Sequence, residues 1–77
     1  MMSDARTSNA GSVVTVDTRG MRCPWPALRL ARAMRSDAAV ILLADDPQAG
    51  REIAALAAEN GWSLAAESDE RWLVGRS

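Results

Sequence analysis

The only thiol in this chain is Cys23, and it stands in the run Asp17-x-Arg19-Gly20-x-x-Cys23-Pro24-x-Pro26. The 77 residues contain no histidine, so a Ser-His-Asp triad, a Cys-His pair and an imidazole metal site are all excluded within the chain. All nine basic residues are arginine, which removes Schiff-base chemistry along with lysine. A lone cysteine with scattered carboxylates makes a poor metal set, and no glycine-rich phosphate loop occurs. The reactivity of this protein therefore belongs to Cys23. The same residue types set an expectation for its acidity. A cysteine just ahead of a helix amino terminus sees unpaired N–H groups and the positive end of the macrodipole. Arg19 and Arg22 add positive charge nearby, and together these favour the nucleophilic thiolate, with a pKa below the ordinary thiol value of about 8.5. A buried, inert thiol is the commonest alternative for a free cysteine, but a polar setting bounded by two prolines argues against it.

The elements that must hold this sulfur follow from patterning. Ser12–Asp17, SVVTVD, has the β-branched composition of a strand, and Gly20 lets the next loop turn tightly. Pro24 and Pro26 are tolerated only in the first turn of a helix. From Ala27 to Ser36, Ala27, Leu30, Ala31 and Met34 recur at helical spacing, while Arg29, Arg32 and Arg35 take the other side. Ala39–Ala44 is a short apolar run suited to a central strand. Asp45-Asp46-Pro47 then reads as an acidic N-cap with proline at the first helical position. The second helix runs to Asn60, with Ala49, Ile53, Leu56, Ala57 and Asn60 on one stripe and Gly61 as a left-handed C-cap. Trp62–Glu67 and Arg71–Arg76, joined by Ser68-Asp69-Glu70, form a hairpin. The order is β-α-β-α-β-β, an α+β two-layer sandwich with a mixed four-stranded sheet and two helices on one face.

Composition bounds the rest. At 48% hydrophobic and 25% charged the chain is ordinary globular material. Residues 1–11 lack periodicity and read as a disordered leader, leaving 12–77 as a single domain. The leader has no apolar segment of a signal peptide, and one cysteine cannot form an internal disulfide, so the expected compartment is the cytoplasm. Net charge is −1 but divided. Residues 17–36 carry Arg19, Arg22, Arg29, Arg32 and Arg35 against Asp17 alone, giving +4, whereas residues 37–77 sum to −5. Such a division bears on partners, not on fold.

The cysteine motif resembles that of the TusA (SirA-like) family of small sulfur-carrier proteins, in which a strand leads into Asp-x-x-Gly-x-x-Cys-Pro-x-Pro opening the first helix. A second similar block is Ala44-Asp45-Asp46-Pro47 with Arg51-Glu52-Ile53, followed by Gly61 and an apolar residue. The resemblance covers residues 13–76. It implies sheet order 1-2-4-3, with Cys23 as the atom that bears sulfur and Asp17, Arg19, Gly20, Pro24 and Pro26 as its scaffold. It also implies that the cysteine accepts a sulfane sulfur as a persulfide from a cysteine desulfurase or rhodanese and relays it to an acceptor protein. The pathways known for the family are tRNA thiolation, molybdenum-cofactor synthesis and sulfur metabolism. Trp25 departs in size from what the variable motif position usually holds.

The expected protein is thus a persulfide carrier, not a self-sufficient enzyme, acting without cofactor or metal, as a monomer and off the membrane. Arg22, Trp25, Arg29 and Arg32 are the expected partner-docking residues. A dithiol oxidoreductase is weakened because Pro26 occupies the place of a resolving cysteine. The alternative from another class is a non-catalytic regulatory module that binds protein or RNA. Against RNA stand the net charge, the absence of lysine and the lack of any aromatic but tryptophan.

Overall fold

The computed structural model describes residues 13–76. The proposed leader, residues 1–11, lies outside them. The elements are β1 (Val14–Asp17), α1 (Trp25–Ser36), β2 (Ala39–Leu43), α2 (Ala49–Asn60), β3 (Ser63–Ser68) and β4 (Arg71–Gly75). The sheet order is β1-β2-β4-β3, with β1 parallel to β2 and both other pairings antiparallel, as the family resemblance implied.

One face of the sheet and the two helices make the core. The register sets Val16 beside Leu42, Leu42 beside Trp72, and Val74 between Val40 and Leu64. Because side chains alternate along a strand, these residues share a face. Leu30 and Met34 of α1 close over it together with Ala49 and Ile53 of α2. Leu30, Val40, Leu42, Ile53 and Val74 are fully buried. Of the stripes at helical spacing, Leu30, Met34, Ala49, Ile53 and Ala57 are buried and Ala27, Ala31 and Leu56 half-buried, whereas Asn60 is exposed and donates its side-chain amide to Leu56 O at 2.9 Å.

The start of each helix differs from the sequence reading. α1 begins at Trp25, two residues before Ala27, because Pro24 stands at its N-cap and Pro26 fits its first turn. α2 begins at Ala49, with Pro47 and Gln48 in a preceding turn. That turn is closed by Ala49 N–H to Asp46 O at 2.9 Å. The C-terminal reading holds: Gly61 caps α2 at a φ of 71°. Among the described residues, no helix is long and apolar enough to cross a membrane.

Candidate functional site

Two loops meet at Cys23, and the sheet explains why. Since β1 and β2 are parallel neighbours in register, Asp17 lies beside Leu43, and the chain leaves both strands at the same edge. The loop after β1, residues 18–24, therefore runs against the turn after β2, residues 44–48. This is where parallel α/β sheets place their functional loops.

The loop is tied down at successive points. Thr18, wholly buried, donates both its backbone N–H and its hydroxyl to Leu43 O, each at 2.7 Å. Met21 N–H returns to Thr18 O at 3.0 Å, closing a turn whose third residue, Gly20, has a φ of 88°. That is the position of a type II turn that demands glycine. Gly20 N–H then donates to Asp45 Oδ1 at 2.9 Å. Cys23 N–H donates to Asp46 Oδ2, while Asp46 Oδ1 accepts from Gln48 N–H at 3.0 Å. One carboxylate thus joins the cysteine loop to the turn that leads into α2. The Cys23–Pro24 peptide bond is cis.

Asp17 and Arg19 form a closed pair. The guanidinium meets the carboxylate at 2.8 and 3.0 Å, and Arg19 N–H adds a third bond at 3.1 Å. The side-chain bonds from Arg19 hold the Asp17 carboxyl down at about 2. They also commit the Arg19 charge to Asp17 instead of the sulfur.

The acidity of Cys23 runs opposite to the sequence expectation. Partial burial pushes the thiol pKa up, and the carboxylates of Glu52 and Asp46 push it further. The helix end fails to offset them for a local reason. Pro24 and Pro26 have no N–H, Trp25 N–H is taken by Arg22 O at 2.9 Å, and Cys23 N–H is taken by Asp46. Few donors are left to face the sulfur. Asp46 is itself held below its ordinary value, first by the Gln48 N–H and then by the Cys23 N–H, so it stays ionised beside the thiol.

The remaining expected site residues divide between two surfaces. Arg22 is exposed and lines a groove of about 430 Å³ with Gly20, Met21, Asp45, Asp46 and Pro47. Trp25 is 58% exposed and Leu28 51%, so the large ring in the motif lies outside the core. Arg29 and Arg32 are exposed on α1 and flank Val16, Ala33 and Ser36 in a second groove. Arg29 also reaches Met21 Sδ at 3.9 Å.

Sequence reasoning missed Thr18 and did not assign Asp46 and Glu52 to the sulfur. The parallel pairing of β1 with β2 is the signal that could have found them. Among the described residues, no cluster of His, Cys, Asp or Glu is arranged to hold a metal ion.

The fold and this junction define a small α+β domain that offers a single half-buried thiol between a loop and a helix. The chain belongs to the sulfurtransferase TusA family, whose model matches residues 14–74. Membership carries a sulfur-carrier or sulfurtransferase role in general terms, with sulfur donors and acceptors as partners. No curated protein matches the chain.

Proposed function

We propose that Cys23 accepts a sulfane sulfur as a persulfide from a cysteine desulfurase or rhodanese and relays it to an acceptor protein. The observation that carries this reading is the position of the chain's only thiol: half-buried, at a corner that both neighbouring loops hold in place. The transfer balances without an oxidant. The Cys23 thiolate attacks the outer sulfur of a donor persulfide; a new S–S bond forms, the donor's S–S bond breaks, and the donor leaves as a thiolate. That thiolate takes up the proton Cys23 has lost. Handing the sulfur to an acceptor repeats the exchange in the other direction, so the protein carries sulfur but completes no reaction alone.

Asp17, Arg19, Gly20, Pro24 and Pro26 form the scaffold in this reading. Trp25 is the docking anchor, an aromatic ring beside the sulfur with no place in the core. Arg22, Arg29 and Arg32 steer the protein toward an acidic partner surface. The proposed setting is the cytoplasm, the proposed state a monomer, and the destination of the sulfur tRNA thiolation, molybdenum-cofactor synthesis or another branch of sulfur metabolism.

Incubation with a cysteine desulfurase and free cysteine tests the assignment by intact mass. One sulfur should be added, removable by reductant, and Cys23→Ser should abolish the adduct while the fold is retained. An adduct of unchanged yield on the serine variant overturns it. Partner binding that survives Cys23→Ser but is lost on Arg29→Ala would instead favour a non-catalytic binding module.

A further inference from the structure

The sheet has two outer strands, and they differ in how their edges are guarded. β3 breaks register with β4 between Ala66 and Ser68, and Glu67 stands at the break. Bulges and charges of this kind keep an edge from pairing with another chain. β1 has no such break: its register with β2 is regular from Val14 to Asp17, and Val14-Thr15-Val16 contains no charge, glycine or proline. The bond from Thr18 N–H to Leu43 O fixes which backbone groups turn outward. Backbone groups of successive strand residues point to opposite sides, so Val14 and Val16 face β2 as Thr18 does. The N–H and C=O groups of Thr15 and Asp17 face the edge, where none of the described strands pairs with them. Between that edge and α1 runs a groove of about 420 Å³ lined by Val16, Ala33, Ser36, Arg29 and Arg32. Val14, on the same face as Val16, is exposed. Both arginines are exposed, and among the described residues neither forms an ion pair.

We propose that the free edge of β1, with the groove against α1, takes up an extended acidic segment of a partner protein as a fifth strand of the sheet. Strand addition draws affinity from main-chain hydrogen bonds and specificity from side chains on alternate positions. Here the main-chain partners are the outward groups of Thr15 and Asp17. Side chains of the added strand that point to the helix layer enter the groove. Alternate residues of a strand lie about 6.6 Å apart. Arg29 and Arg32, one turn apart, have Cβ atoms about 5–6 Å from each other. Two glutamates at alternate positions can therefore lay their stems on Val16 and Ala33 and give one carboxylate to each guanidinium. The charge also excludes the nearest rivals. A second copy paired through β1, with both helix layers on one side, would set Arg29 and Arg32 against their own counterparts. The amino-terminal residues 1–12 hold one acid, Asp4, against Arg6, and so lack the matching charge. Cys23 takes no part in this contact, and the inference stands apart from the sulfur reading.

The probe is a labelled synthetic peptide with glutamate at alternate positions and valine or threonine between them, added to the full chain at low salt. Anisotropy should show saturable binding, and exchange of the Thr15 amide with solvent should slow by about ten-fold or more at saturation. A peptide of the same sequence, N-methylated on the edge that meets β1, keeps every charge and should not bind. Arg29→Ala with Arg32→Ala should weaken the unmodified peptide about ten-fold, the combined effect of two exposed ion pairs. Thr15→Pro removes an outward N–H that β2 does not use, so it should keep its melting temperature and lose the peptide. If that variant does not fold, the N-methylated peptide decides the matter on wild-type protein. Equal binding of the two peptides, or an unmoved Thr15 exchange rate, makes the contact charge alone and overturns strand addition. Absence of binding at millimolar peptide overturns it as well. A dimer in sedimentation whose Thr15 amide is already protected gives the edge to a second copy and overturns the partner assignment.

Discussion

Gly20 is the hinge on which the Cys23 loop turns, and replacing it isolates one term of the loop's stability. Its φ is 88°, and a Cβ built there would meet nothing within 4 Å. Steric crowding therefore contributes nothing to the effect of a substitution, and backbone preference contributes all of it. An L-residue held at positive φ costs about 1–2 kcal/mol, less for asparagine, which visits that region more readily, and more for a β-branched residue. Stability should fall in the order Gly20, Gly20→Asn, Gly20→Ala, Gly20→Val, although asparagine is far larger than alanine. For a domain of this size the total stability is roughly 3–10 kcal/mol at the usual value per residue. A loss of about 1–2 kcal/mol is thus a sizeable part of it and lowers the melting temperature by about 4–16 °C. Urea denaturation monitored by tryptophan fluorescence reads the difference directly, with the slope in denaturant unchanged. If alanine and asparagine cost the same, or both cost less than about 0.5 kcal/mol, the conformational account of this turn is wrong. The same variants should load sulfur more slowly, because relaxing the strained φ at this position moves the backbone N–H that ties the loop to Asp45.

Two further outcomes follow from burial and charge on α1. Trp25→Ala, at a residue 58% exposed, should change stability by no more than about 0.5 kcal/mol while weakening partner binding. Leu30→Ala, at a fully buried residue of the same helix, should cost about 2–5 kcal/mol. A large fall in melting temperature for Trp25→Ala would make the ring a packing residue and remove the docking anchor. Arg29→Glu with Arg32→Glu should slow sulfur transfer from a cognate donor and flatten its salt dependence, since exposed charges act across about 8 Å at physiological ionic strength. Equal rates and equal salt slopes would make this helix face ordinary solvated surface.

What the sequence made legible was whatever depends on near neighbours in the chain. Helical spacing marked Leu30, Met34, Ile53 and Ala57 as buried, and they are. The alternation in Arg71–Arg76 put Trp72 and Val74 on one face, and the register confirms it. Gly61 announced a left-handed cap and Gly20 a tight turn, and both have positive φ, which no other residue type adopts as cheaply. The boundaries moved where two rules compete. Asp46 does accept a turn N–H, from Gln48, but regular helix starts only at Ala49. Thr18 was opaque because its hydroxyl is satisfied by Leu43 O, 25 residues away. The thiol's acidity failed for the same reason: the near neighbours in sequence, Arg19 and Arg22, are not the charges that dominate in space.

The divided charge of the chain takes on a different meaning once the sheet is closed. Read along the sequence, a +4 block precedes a −5 block, and each looks like a separate solvated surface. In the fold the basic block supplies α1 and the acidic block supplies the turn after β2 and the start of α2, and parallel pairing of β1 with β2 brings both to one edge. Cys23 lies at that seam, with Arg29 and Arg32 leading away along the helix and Asp46 accepting from its backbone N–H. In the proposed carrier reading, a partner that covers this seam has to change sign across it, with acidic residues over α1 and basic ones over the turn after β2.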